Sequence, residues 1–128
     1  MFSDYEIDWF APVWEKGMSW DLVRELSHHP LCTIGGHTIS HPALNKLSLE
    51  EARMEIKDGI IKIMEQVQKD VIYFAYPYGT PQQIGDREFQ IVNDLGIKMA
   101  FMAHQGCVTI NNKALNRIPR VYLNEVKR

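Results

Sequence analysis

The chain has 128 residues, the length of one ordinary domain with a buried core. Its 45% hydrophobic and 23% charged content excludes a disordered or fibrous chain. A formal charge of −2 with scattered lysine and arginine argues against a general nucleic-acid binder, and no apolar run nears the roughly 20 residues that span a bilayer.

The N-terminal stretch "MFSDYEIDWF" has no basic region followed by an apolar one, so no signal peptide is expected there. The first predicted helix is "SWDLVRELS", with Ser19 as N-cap, Asp21 at the positive helix end, and Trp20, Val23, Leu26 and Leu22 as candidate apolar positions. His28 and His29, before Pro30, are expected to end it, where a cationic residue suits the helix dipole. "LCTI", 31–34, then reads as a short buried strand. The clearest helix is 48–69, opened by the capping box Ser48 and Glu51. Ala52, Ile56, Ile60, Ile63 and Val67 give it one core-facing stripe, which Gly59 weakens without splitting.

"VIYFAY", 71–76, is β-branched and aromatic and reads as a strand closed by "PYG". A third helix is predicted from Asp86 to a C-terminal Gly96, followed by the strand "IKMAFM" and by weaker strands in "CVTI" and "RVYL". Strands alternating with helices at this spacing predict βαβ units and a parallel sheet, an α/β fold in a single domain, 1–128. Two crossovers are too few for a complete barrel. Cys32 and Cys107 both sit in apolar runs and are expected to be buried thiols, with no disulfide framework.

On this map "GGHTISHP" lies at the C-terminal end of one parallel strand and "YPYG" at the end of the next, the edge where α/β folds build their sites. His37 and His41, four apart, can present both imidazoles on one face if the segment makes a helical turn, and imidazole is a preferred ligand of zinc and similar divalent metals. Gly35 and Gly36 allow a tight bend, and Thr38 and Ser40 can tie the loop through side-chain to backbone hydrogen bonds. A bare H-x-x-x-H also arises by chance. The strand, the glycines and the second loop on the same edge favour a metal site.

"GGHTISHPALNKLSLEEARMEI" resembles the H-[ST]-x-x-H segment of the polysaccharide deacetylases, the NodB-homology carbohydrate esterases, and "FAYPYG" resembles their following motif. The resemblance runs from "MSWDLVREL" through "DREFQIVNDLGIKMAFMAHQG" to "RIPRV", about 16 to 121. It implies a partial (β/α) barrel and hydrolysis of N-acetyl groups on the amino sugars of a glycan. His37 and His41 would bind a catalytic divalent metal, usually zinc. The backbone N–H of Tyr78 would hold the tetrahedral oxyanion formed when an activated water attacks the acetyl carbonyl. Pro77, Tyr78 and Gly79 would meet the substrate, and His104 is a candidate general acid.

The family pattern also has an aspartate pair on an earlier strand, supplying a further metal ligand and the general base. Only three residues precede Asp4, so Asp4, Glu6 and Asp8 read as solvated loop carboxylates, and the first β/α portion is expected to be missing. Ala75 stands where many members carry an arginine, and Arg117 and Arg120 either approach the site or form salt bridges. The missing ligands would then come from another chain or from the rest of a longer protein. An unpaired sheet edge predicts a homo-oligomer. The alternatives are an inactive homologue or fragment that binds a glycan or a partner, and the same fold acting on another N-acyl compound. Substrate identity and compartment are open at this level.

Overall fold

A computed structural model describes residues 17–109 and 114–121. Asp4, Glu6, Asp8 and the ends of "CVTI" and "RVYL" lie outside these residues. The described elements are α1 (Trp20–His28), a 3-10 turn (Leu44–Lys46), α2 (Leu49–Val67), β1 (Tyr73–Ala75), α3 (Asp86–Asp94), β2 (Met99–Gln105) and β3 (Ile118–Arg120).

The strands form a parallel sheet in the order β1-β2-β3, with Tyr73, Phe74 and Ala75 opposite Met99, Ala100 and Phe101. A parallel bridge from Gly36 to Phe74 extends the sheet beyond β1. Gly36 leads through α2 to β1, and β1 leads through α3 to β2, so both expected crossovers are present. Among the described residues the sheet does not close into a barrel.

Helix α2 carries the capping box read from the sequence: Ser48 Oγ accepts from the Glu51 N–H, and Glu51 Oε2 accepts from the Ser48 N–H at 2.8 Å. Its stripe of Ala52, Ile56, Ile60 and Val67 is buried, with Ile63 half-buried. Helix α3 begins where expected, with Glu88 accepting from the Gly85 N–H at 2.8 Å, and passes to Gly96 at φ +74°. Ser19 caps α1, and His28 and His29 end it, His28 Nδ1 lying 2.7 Å from the Arg24 carbonyl. Arg24 donates to Gln66 Oε1 at 2.6 Å, and Lys69 donates to the Ser27 carbonyl, fastening α1 to α2.

The core lies on one face of the sheet. Phe74, Ala100 and Met102 pack there against Ile56 and Ile60 of α2 and Phe89, Ile91 and Val92 of α3. Tyr73, Ala75 and Phe101 alternate to the other face. With Thr33, Gly35, Gly36 and His37 they line an open cavity of about 500 Å³.

Three readings are corrected. "LCTI" is not a buried strand: Leu31 is 91% exposed, and the chain meets the sheet only two residues later, at the isolated Gly36 bridge. That bridge has β1 on one side and no second strand beside it among the described residues, so neither a ladder nor burial defines the segment. The cysteines are not core thiols: Cys32 is half-buried on that thinly covered segment and Cys107 is exposed after β2. The last strand is Ile118–Arg120, earlier than "RVYL", and admits Pro119 on the edge of the sheet.

Candidate metal centre

Gly36 brings the histidine loop down onto the fold. Its N–H donates to the Tyr73 carbonyl and its carbonyl accepts from the Ala75 N–H, each at 2.9 Å. A Cβ there would lie 2.9 Å from Ile60 and 3.1 Å from Phe74, so the bridge needs glycine. The next residue, His37, turns its ring back to β1, where Nδ1 lies 2.7 Å from the Ala75 carbonyl. A carbonyl only accepts, so Nδ1 carries the proton and the Nε2 lone pair is left for a metal. The Ala75 backbone thus orients His37.

The segment from His37 to His41 is not the helical turn that the spacing suggested. Thr38 has φ +66° and His41 φ +57°, left-handed conformations that are rare for a β-branched residue and uncommon for histidine. Side chains replace a backbone ladder. Thr38 Oγ1 accepts from the His41 N–H at 3.1 Å, while Glu55 of α2 accepts the N–H groups of Ile39 and Ser40 at 3.0 Å and the Ser40 hydroxyl at 2.7 Å. Burial alone would raise the Glu55 pKa, but these hydrogen bonds outweigh it and hold the carboxyl below its ordinary value. Thr38 ties the loop as expected; the Ser40 hydroxyl goes to Glu55 instead of the backbone.

The second loop interrupts the β1–β2 ladder. The Tyr76 N–H donates to the Phe101 carbonyl at 3.1 Å, and the pairing resumes where the Ala103 N–H donates to the Gly79 carbonyl at 2.8 Å. Between them Pro77 has no N–H, Tyr78 takes φ +59°, and the Gly79 N–H donates to the Pro77 carbonyl at 2.6 Å, a γ-turn. The Tyr78 N–H has no hydrogen-bond partner among the described residues. Its exposed ring lies 4.9 Å from that of His41, and the His41 and His37 rings are 4.8 Å apart.

Below the site the loops are cross-tied. Asn45 Nδ2 donates to the Gln82 carbonyl at 2.6 Å, and Arg87 donates to the Leu47 and Leu44 carbonyls at 3.0 and 2.7 Å. Tyr76, buried beneath Tyr78, donates its hydroxyl to the Asn116 carbonyl; desolvation first, and Glu88 second, push its pKa upward, so it stays a neutral structural phenol.

Two imidazoles sharing one ion at about 2.1 Å and a near-tetrahedral angle have ring centres roughly 5 Å apart. The His37–His41 spacing and the His37 tautomer fit that arrangement. They supply two donors, and no group of three or more His, Cys, Asp or Glu is placed to hold a metal among the described residues. His104 is exposed near the end of β2, next to the Ala103 that holds Gly79, but no hydrogen bond or ring contact joins it to His37, His41 or Tyr78. Arg117 lies over the Phe89 ring and 4.0 Å from Asp86, a structural role, and exposed Arg120 ends β3. No helix among the described residues is long and apolar enough to cross a membrane.

The polysaccharide deacetylase family profile matches residues 5–100. No curated protein sequence matches. The fold is similar to that of the Streptococcus pyogenes deacetylase PplD in complex with acetate, at TM-score 0.73 and 24% identity over 85% of this chain and 48% of that one. The BpsB deacetylase domain of Bordetella bronchiseptica gives TM-score 0.71 and 17% identity over 81% of this chain and 48% of that one. A polysaccharide deacetylase from Bacillus cereus gives 0.69 and 23% over 81% and 32%. The chain thus spans about half the length of these structures, or less, and at such identities the likeness is one of fold. The family match runs through both loops just described, and on that ground the chain belongs to the polysaccharide deacetylase family.

Proposed function

We propose that the chain carries the histidine and oxyanion half of a metal-dependent carbohydrate N-deacetylase, which hydrolyses N-acetyl groups on amino sugars of a polysaccharide. One observation carries the reading: the rings of His37 and His41 and that of the sequence-distant Tyr78 form a continuous cluster, with the His37 Nδ1–H committed to the Ala75 carbonyl. Family membership supports it.

His37 Nε2 and the His41 ring would hold a divalent cation, zinc in the usual case, with a further donor from outside the described residues. When bound, such an ion supplies Lewis-acid activation of water and of the acyl carbonyl. The chain's own residues do the rest. Thr38 and Glu55 hold the loop so that both imidazoles face one point. The Tyr78 N–H, left without a partner by the γ-turn, donates to the oxygen on which negative charge develops, a contact typically worth about 2.7–4 kcal/mol in the transition state. The Tyr78 ring gives a sugar an exposed face to pack on, with Pro77 and Gly79 fixing the turn. His104, on the same strand edge, is the candidate proton donor to the leaving amine.

The test is a zinc titration by calorimetry on metal-stripped protein, run beside His37→Ala and His41→Ala, followed by measurement of acetate released from N-acetylglucosamine oligomers. Zinc binding lost in both variants, with acetate release by the wild type, supports the reading. Zinc binding unaffected by either substitution overturns it. A non-catalytic glycan-binding role would use the exposed Tyr78 ring as a sugar platform without the hydrolysis. Glycan binding without acetate release would select that role.

A further inference from the structure

We propose that Glu55 is a positioning residue for the histidine pair: by gripping the loop between His37 and His41 it sets the spacing of the two imidazoles and hence their affinity for metal. The proposal rests on the metal reading above and extends it to a residue outside both motif loops.

The loop has few other ways to hold its shape. Its three consecutive N–H groups, those of Ile39, Ser40 and His41, are all taken by side-chain oxygens, two of them by Glu55 Oε2. The other carboxylate oxygen, Oε1, accepts the Ser40 hydroxyl. Both oxygens of Glu55 are therefore committed between the two histidines. Glu55 makes no ion pair among the described residues, so its charge serves the loop.

The element that carries it is rigid. Helix α2 is capped at its first turn and buries a stripe against the sheet. One turn after Glu55, on the same helix face, Gly59 leaves room for the Thr38 backbone: a Cβ there would stand 2.8 Å from the Thr38 carbonyl carbon. The loop is thus seated at two points, pressed down at Thr38 and hydrogen-bonded at Ile39 and Ser40. With the carboxylate gone, those N–H groups turn to water, and the left-handed backbones of Thr38 and His41 lose what offsets their strain. The rings then separate, and a two-imidazole chelate depends on their spacing.

The test compares wild type with Glu55→Ala, Glu55→Asp and Glu55→Gln, all stripped of metal. Zinc affinity is measured by calorimetry. In the metal-free proteins the ring nitrogen and proton signals of His37 and His41 are followed by NMR, with circular dichroism as a check on folding. E55A is expected to weaken zinc about tenfold, the lower end for partners that orient metal ligands, and to move both ring signals. E55D keeps the charge but draws it back by one methylene, and should behave like E55A. E55Q retains a carbonyl acceptor for the Ile39 and Ser40 N–H groups and should restore affinity to within about threefold of wild type and return the ring signals. Folded E55A and E55D with wild-type affinity and unmoved rings overturn the proposal. If E55A does not fold, E55D against E55Q decides by the same readouts. A wild type that binds no zinc overturns the metal reading instead. The positioning role is then decided by the metal-free ring signals, upheld if they move in E55A and return in E55Q and refuted if they stay.

Discussion

Gly59 shows how a residue that weakens its own helix can serve a site elsewhere. Glycine in a helix interior costs about 1 kcal/mol relative to alanine, so Gly59→Ala should stabilise α2 in isolation. In the fold the added Cβ would meet the Thr38 carbonyl carbon at 2.8 Å and its oxygen at 2.9 Å, backbone atoms with little freedom to yield. Overpacking of that kind costs about 1–3 kcal/mol, which offsets or exceeds the helix gain, so the variant is expected to be no more stable than wild type, with a net loss of up to about 2 kcal/mol, and to bind zinc more weakly. Urea unfolding and a zinc titration check both. A stabilised variant with unchanged zinc affinity would show that the loop does not press on the helix. Gly79 has a stricter requirement: its φ is +61°, and a Cβ would lie 2.5 Å from the Ala103 nitrogen. Gly79→Ala should lose about 2 kcal/mol or more, and the Tyr78 turn should lose its hold on β2. Unfolding midpoints within error of wild type would contradict this. That the His37, His41 and Tyr78 loops lie on one edge was legible in the sequence, because a motif fixes residue types at fixed spacing. Glu55, the role of Gly59 and the proton on His37 Nδ1 were not. Their partners are a loop 15 or more residues away and a backbone carbonyl on another strand, which no local pattern encodes.

Helix α2 was legible almost to its ends because three local signals agree: the capping box, the apolar period and the acidic first turn. Its carboxylates also make the element sensitive to acid. The hydrogen bonds from the Ser48 side chain and backbone hold the Glu51 carboxyl below its ordinary 4.5. In Glu55 burial pushes upward, but the bonds from Ser40 and Ile39 prevail and the shift is again downward from 4.5. A carboxylate whose folded pKa is depressed contributes stability that is fully present above the ordinary value and is lost as pH falls through the folded pKa. The helix start and the histidine loop should therefore hold at neutral pH and loosen together below about 4.5, as the amide signals of Ser48, Ile39 and Ser40 titrate. Midpoints above 4.5 would contradict the hydrogen-bonding account, and Glu51→Gln and Glu55→Gln should each abolish the titration at its own end. The strands were less legible for a reason of the same scale. "VIYFAY" and "IKMAFM" were found because they face a helical layer on one side and carry β-branched or aromatic residues. "LCTI" has similar composition, but pairs with no strand among the described residues, the isolated bridge falling beyond it at Gly36, and a strand is defined by its neighbours rather than by its own residues.

At the scale of the molecule, helices among the described residues cover one face of the sheet, and among those residues the other face is open. The open face presents Tyr73, Ala75 and Phe101 beside His37, around a cavity of about 500 Å³. The same face lies next to the sheet edge at Gly36, beyond which no further strand pairs among the described residues. Apolar side chains on an open sheet face, together with an edge that can accept another strand, favour association. We therefore expect copies of this chain to assemble through that edge and face. Sedimentation equilibrium should give a mass that is a multiple of 14.9 kDa. Phe101→Glu, which places a charge on the open face while leaving the core side of β2 intact, should shift the equilibrium toward single chains. Association also bears on the metal, because a catalytic zinc site normally has three protein donors and this loop supplies two. If a second copy contributes the third donor, zinc affinity should rise with protein concentration across the assembly midpoint, and F101E should abolish that rise. A wild type that sediments at 14.9 kDa would refute the assembly. An assembled protein whose zinc affinity ignores concentration would instead place the remaining donor within the same chain.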